Sequence, residues 1–137
     1  MDFDALKEKG AVLGSGAVIV MAEDGSIRDM LDSILRFFEH ESCGKCVPCR
    51  VGTNNLVRML EKICRGQGEL ADIAKLEKLA AAVKGGSLCG LGQTMPNPIL
   101  STMRVFREEY AAHVTAHRCP AGVYKALLHF SIDAERC

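Results

Sequence analysis

Residues 41–50 read ESCGKCVPCR, and the cysteines at 43, 46 and 49 recur at a strict interval of three. On a regular helix each such step turns the side chain by about 300°, so the three sulfurs would spread around the axis. The run is therefore expected as a tight loop that turns all three sulfurs inward on one small object. Gly44 permits close backbone approach, Pro48 stiffens the turn and Gly52 lies just after it. A fourth thiolate is supplied best by Cys89, in the glycine-rich stretch GGSLCGLGQ, whose glycines accept positive φ and leave backbone N–H groups free for sulfur. Three thiolates in a C-x2-C-x2-C loop plus one remote suit a cubane [4Fe-4S] cluster, whereas structural zinc usually takes two separated pairs. Lys45 and Arg50 have two readings, as charges that soften a negative cluster or as ordinary solvated side chains.

The totals narrow the function classes. A chain of 137 residues is one ordinary domain in size. Its seven cysteines are odd in number and three of them crowd into one loop, which argues for ligands over a secreted disulfide framework. Lysine plus arginine equal aspartate plus glutamate at 17 each, so no global field draws in nucleic acid or an anionic membrane. The absence of tryptophan speaks against a base-stacking surface. The longest apolar runs, such as AVIV at 17–20, fall far short of the roughly 20 residues of a membrane span. The chain reads as cytoplasmic, either free or peripheral to a membrane complex. GSG at 14–16 is too short for a dinucleotide fingerprint, no phosphate-loop motif occurs, and Ser42, Ser87 and Ser101 suit loop, cluster-lining and helix-surface roles.

Periodicity supplies the frame. A short polar helix is expected near the start, then a glycine-punctuated turn and the β-branched run Val18, Ile19, Val20, a strand whose partners lie elsewhere. Ile27, Met30, Leu31, Ile34, Leu35 and Phe38 recur at helical spacing behind a Ser26/Asp29 cap and predict a helix to about His40. A second stripe, Val51, Leu56, Met59, Leu60 and Ile63, ends at RGQG. A third, Leu70 to Val83, stops at Gly85 and Gly86, and a fourth runs from near Pro98 to about His117. Four helices with short connections imply an all-α, up-and-down four-helix bundle with a cluster-binding loop, preceded by a short strand remnant. The tail CPAGVYKALLHFSIDAERC suggests a short helix and then a strand.

A second set of donors stands apart. Cys64 ends the second helix, and the fourth would return His113, His117 and Cys119 to that same end, a set whose donor types suit zinc. The alternative is that they are buried small apolar residues and exposed histidines. His40 and His129 carry no partner signal, and Met30, Met59, Met95 and Met103 read as core filler.

At ESCGKCVPCRVGT together with SLCGLGQTMPNPILSTMRVFREEYAAH, the chain resembles the flavoprotein subunit of NADH:quinone oxidoreductase (complex I) and its relatives. Those relatives include the beta subunits of bifurcating iron-only hydrogenases and of NAD-dependent formate dehydrogenases. The likeness covers roughly residues 2–117 and implies the iron–sulfur domain of that subunit, whose single [4Fe-4S] cluster takes electrons from reduced FMN. By motif position Cys43, Cys46, Cys49 and Cys89 occupy the ligand places. The resemblance divides the chain into the tail of a ubiquitin-like (soluble-ligand-binding) domain at 1–22, the four-helix iron–sulfur domain at 23–117, and a linker to a ferredoxin-like domain at 118–137. In that comparison ID-x-x-x-C opens the ferredoxin-like domain, with Cys137 its first ligand. Tyr124 stands where relatives often carry a second cysteine after CPAGV, which weakens a metal site built on that pair.

The resemblance also implies a fragment of a longer subunit of hydrogenase type, with FMN and NAD held by the parent subunit only and no catalysis by this chain alone. Its partners would be the other domains of that subunit and neighbouring iron–sulfur subunits of a multisubunit complex. Two readings of the function follow. One is an electron relay built on the four cysteines, and the other is a zinc-stabilised helical interaction module with no redox role.

Overall fold

The computed structural model describes residues 2–12, 14–22 and 25–136. Helix α1 (Phe3–Glu8) is the polar helix expected at the start, capped by Asp2, whose carboxylate accepts the Ala5 N–H at 2.8 Å. The expected strand does not form: no strand occurs among the described residues, and Val18, Ile19 and Val20 are 76, 64 and 88 % exposed. Branched side chains favour a pleat, but a ladder needs a second strand for its N–H and C=O groups, and none of the described residues supplies one. Leu13, within the same glycine-rich segment, lies outside the described residues, as does Cys137.

Helix α2 (Ile27–Glu41) begins at Ser26, whose hydroxyl accepts the Asp29 N–H at 3.3 Å, and buries Leu31 and Leu35. Helix α3 (Val47–Cys64) starts inside the cysteine run, with Pro48 in its first turn, where a missing N–H costs nothing. Helix α4 (Leu70–Gly86) opens with a reciprocal cap that periodicity alone does not reveal: the Glu69 side chain accepts from the backbone of Asp72, and the Asp72 carboxylate accepts the Glu69 N–H at 3.0 Å.

A short α5 (Gly90–Thr94) forms in the glycine-rich stretch, and the expected fourth helix is two pieces, α6 (Asn97–Val105) and α7 (Arg107–Thr115). The break falls at Phe106, φ −117° and ψ 37°, with neither proline nor glycine beside it. Thr102 accounts for it. Its hydroxyl lies 2.8 Å from the Pro98 carbonyl and 2.9 Å from the Tyr110 hydroxyl. In a straight helix Thr102 and Tyr110 would stand about 12 Å apart along the axis, so the turn must bend to join them.

Helices α2, α3, α4 and α6 close a ring, each packed on the next and α6 back on α2, while α7 lies against α3 and α4. The core is Leu31 and Leu35, Leu56, Val57, Leu60 and Ile63, Ile73, Leu76, Ala80 and Val83, with Met95, Ile99, Met103, Tyr110 and Val114 from the last part of the bundle. This is the expected all-α bundle. The tail carries one turn of 3₁₀ helix (Lys125–Leu127) that buries Leu127, and no further strand among the described residues.

Candidate metal centre

The cysteine run is half loop and half helix. Cys43 lies in the loop after α2, Cys46 is the N-cap of α3, and Cys49 sits in the first helical turn, buried. The all-loop expectation is corrected here: Val47 and Pro48 suit a helix start, so α3 begins between the second and third sulfurs. Gly44 takes φ +75° to turn the loop, and the Arg50 guanidinium donates to the Gly44 carbonyl at 3.0 Å, tying the loop back onto α3. Arg50 thus has a structural role, while Lys45 is exposed. The positive end of the α3 dipole lies at Cys46 and Cys49.

Cys89 is the N-cap of α5 and is exposed. Glycine-mediated approaches hold its segment against the loop. A Cβ on Gly92, one turn beyond Cys89, would stand 3.1 Å from the Cβ of Cys49 and 2.6 Å from that of Ser87. A Cβ on Gly86 would stand 2.9 Å from Pro48 Cγ, and one on Gly52 would fall inside the 3.0 Å that real Cβ atoms keep, against Val83. Ser87 is buried, its hydroxyl donating to the Val83 carbonyl at 2.7 Å, and Gln93 Nε2 donates to the Ser87 carbonyl at 3.0 Å. The segment is therefore fixed from both sides, and a Cβ on Gly90 would meet nothing within 4 Å, leaving open space beside Cys89.

These residues fit an iron–sulfur cluster. The four cysteines are free thiols, the glycine seam brings their two segments together, and Thr53, one turn after Cys49, carries a buried hydroxyl with no partner. Among the described residues no three His, Cys, Asp or Glu side chains converge as they would on a single metal ion.

Sequence reasoning passed over Ser42 as a loop residue. It ends α2, and its hydroxyl lies 3.4 Å from Cys49 Sγ while accepting the Gly44 N–H at 3.3 Å. Its position immediately before the first cysteine of the run was the available signal.

The second donor set lies at the far end of α3, about 22 Å along the axis from Cys49. Cys64, Cys119 and His113 are buried there, but His117 is exposed, at φ +44°. Burial pushes the Cys64 thiol up to about 11, against the partial relief of the Arg28 guanidinium and the Tyr124 hydroxyl, so it is a neutral thiol at pH 7. His113 Nδ1–H donates to the Glu109 carbonyl at 2.7 Å, and its Nε2 is buried without a partner. Tyr124 closes this end. Its hydroxyl donates to Asp29 Oδ1 at 2.6 Å and lies 3.3 Å from both Ser26 Oγ and Arg28 Nη1, while its ring packs edge-on against His113 with centroids 5.8 Å apart. The zinc reading gains no support: one of its four donors is exposed while the other three are buried, and a phenol closes the space against His113.

A helical bundle that presents three cysteines from one loop and the helix start after it, with a fourth from an adjoining segment at the same end, is built as an iron–sulfur electron-transfer domain. The chain belongs to the family described as the NADH-ubiquinone oxidoreductase-F iron-sulfur binding region, which residues 29–113 match. It is 45 % identical to the NADP-reducing hydrogenase subunit HndC of Solidesulfovibrio fructosivorans over 137 residues, all of this chain and 28 % of that protein. It is 37 % identical to the mitochondrial NADH-ubiquinone oxidoreductase 51 kDa subunit of Aspergillus niger over 122 residues, 89 % of this chain and 25 % of the relative. Among solved structures, an NAD+-reducing [NiFe]-hydrogenase in the H2-reduced state superposes with a TM-score of 0.69 at 35 % identity, covering 88 % of this chain and 19 % of that one.

The chain thus spans only 25 to 28 % of the length of these curated relatives. Family membership makes a [4Fe-4S] cluster its cofactor and electron transfer its role. Both sequence relatives are named as subunits of larger enzymes. No helix among the described residues is long and apolar enough to cross a membrane.

Proposed function

We propose that this chain is a one-electron relay in an NADH- or NADP-linked flavoprotein subunit, with Cys43, Cys46, Cys49 and Cys89 as the four ligands of its cluster. The observation that carries the ligand set is the approach of Gly92 to Cys49, which seats the Cys89 turn against the 43–49 loop. When bound, the cluster takes up and releases one electron at a time, where a flavin handles hydride as an electron pair. The chain's own residues position it. The α3 N-terminus offsets thiolate charge, Arg50 and Gly44 hold the loop, and the seam of Gly52, Gly86 and Gly92 keeps the two cysteine segments in register.

In this reading the electron donor is reduced FMN on a companion domain of the parent subunit, where the NAD site also lies, and the acceptor is the next iron–sulfur centre of a multisubunit complex. The parent is of hydrogenase type, in keeping with the 45 % identity to the hydrogenase subunit. Residues 1–22 belong to a preceding ubiquitin-like domain, 23–117 form the cluster domain and 118–137 lead to a ferredoxin-like domain. The assembly works in the cytoplasm, in solution or against the face of a membrane complex.

The test is anaerobic reconstitution with iron and sulfide. The chain is expected to hold about four iron atoms, to show a broad visible absorption bleached by dithionite, and to give an electron paramagnetic resonance signal when reduced. Cys89→Ser should lose or convert the cluster while Cys64→Ser keeps it. Equal loss in the two variants would overturn the ligand assignment.

A further inference from the structure

The hydroxyl of Ser42 occupies a position that the four cysteines do not explain. It accepts the Gly44 N–H at 3.3 Å and lies 3.4 Å from Cys49 Sγ, and no other described hydrogen bond involves it. A hydroxyl has one proton to give. The Gly44 N–H already uses an oxygen lone pair, and among the described residues the acceptor that proton meets is the Cys49 sulfur. A cysteine that ligates iron is a thiolate and can only accept, which settles the direction of the contact.

We propose that Ser42 is a positioning residue for electron transfer, donating its O–H to Cys49 Sγ and so holding the cluster's reduction potential above the value the four thiolates alone would give. The proposal rests on the ligand reading above. Adding one electron increases the negative charge shared with the ligand sulfurs, and a donor aimed at one of them favours the reduced form over the oxidised form. The geometry lends precision to that donor. Ser42 is the C-cap of α2 at φ −65° and ψ 120°, Cys49 is locked in the first turn of α3, and the intervening loop is closed by Arg50 on Gly44. Neither end of the contact rides on a free loop.

The experiment is a redox titration of the reconstituted full chain, following the reduced-cluster resonance. Ser42→Ala and Ser42→Gly both remove the hydroxyl and should shift the midpoint potential to more negative values. The expected size is about a tenfold change in the reduction equilibrium, or about 59 mV for one electron. Ser42→Thr keeps the hydroxyl and should stay near the wild type. A potential unmoved in the Ala and Gly variants, or a Thr variant shifted as far as they are, overturns the proposal. Failure of the underlying ligand reading looks different: Cys49→Ser would then keep a cluster with unaltered iron content and spectrum.

Discussion

Gly92→Ala tests the geometry that joins Cys89 to the rest of the site. Gly92 lies in α5 and does not take a positive φ, so by intrinsic propensity the substitution should help the helix by up to about 1 kcal/mol. Packing opposes it. The new Cβ would stand 2.6 Å from Ser87 Cβ and 3.1 Å from Cys49 Cβ, where ordinary carbon contacts sit at about 3.5–4.0 Å. Neither neighbour can yield easily, since Ser87 is anchored to the Val83 carbonyl and Cys49 is held within α3. Relief therefore needs α5 and its N-cap, Cys89, to move outward by about 1 Å, at an overpacking cost of about 1–3 kcal/mol. Metal–ligand distances tolerate errors of only about 0.2 Å, so that displacement matters more to the cluster than to the fold.

The expected result is a chain that remains helical, melts several degrees lower and holds substoichiometric iron after reconstitution. Gly90→Ala is the control, because a Cβ there meets nothing within 4 Å. It should retain full iron content. Iron and acid-labile sulfide per chain, read beside thermal unfolding by circular dichroism, decide the matter. Full iron loading in Gly92→Ala, with a melting temperature equal to that of Gly90→Ala, would refute the seam as the device that positions Cys89.

Two further predictions concern the scaffold. Asp72 accepts from Lys62 at 2.7 Å, from the Glu69 N–H at 3.0 Å and from Lys75 at 3.1 Å, and these bonds hold its carboxyl well below the usual carboxylate range. Its contribution is present in full above the unfolded value of about 3.9 and is lost as pH falls through the lower folded value. Asp72→Asn should cost about 1–2 kcal/mol at pH 7, discounted for the exposed lysines, and the gap should narrow in urea unfolding below pH 4; a gap that widens there would contradict the assignment. Tyr124→Phe removes the hydroxyl that donates to Asp29, and should raise amide exchange across 119–128 while leaving the cluster spectrum unchanged, whereas unchanged exchange would show that the phenol does not hold the tail.

Much of this was legible in the sequence because it depends on local pattern. The stripes from Ile27, Val51 and Leu70 gave three helices, with only the start of α3, at Val47, falling earlier than its stripe, since each has an apolar face and a cap or a glycine stop. The C-x2-C-x2-C spacing of the candidate ligands is equally local. What escaped depends on contacts between distant residues. Nothing near Phe106 marks a helix break, because the cause is a hydroxyl pair eight residues apart. The Val18–Val20 run carries strand propensity with no described partner to express it. Tyr124 gave no sign that it would reach Ser26 and Asp29, nearly a hundred residues away.

The glycines show how the scaffold and the site are related. Gly52, Gly86 and Gly92 are each positions where a side chain would strike a fixed neighbour, and all three lie where α3 meets α4 and α5, at the cysteine end. The far end has close glycine approaches too, Gly68 against Ile63 and Gly66 against Leu127, but there they flank a cluster of large side chains, Arg28, Tyr124 and His113, and not a cysteine pair from two segments. A cofactor held by thiolates from two segments requires a fixed separation between backbones, because ligand side chains are short and tolerate little error. Glycines packed directly against Val83, Pro48, Ser87 and Cys49 supply that separation, with no side chain of their own in the path. The Tyr124 end, about 22 Å along α3, carries no such demand, so changes there should alter how the tail is held while the potential and iron content stay with the glycine seam and Ser42.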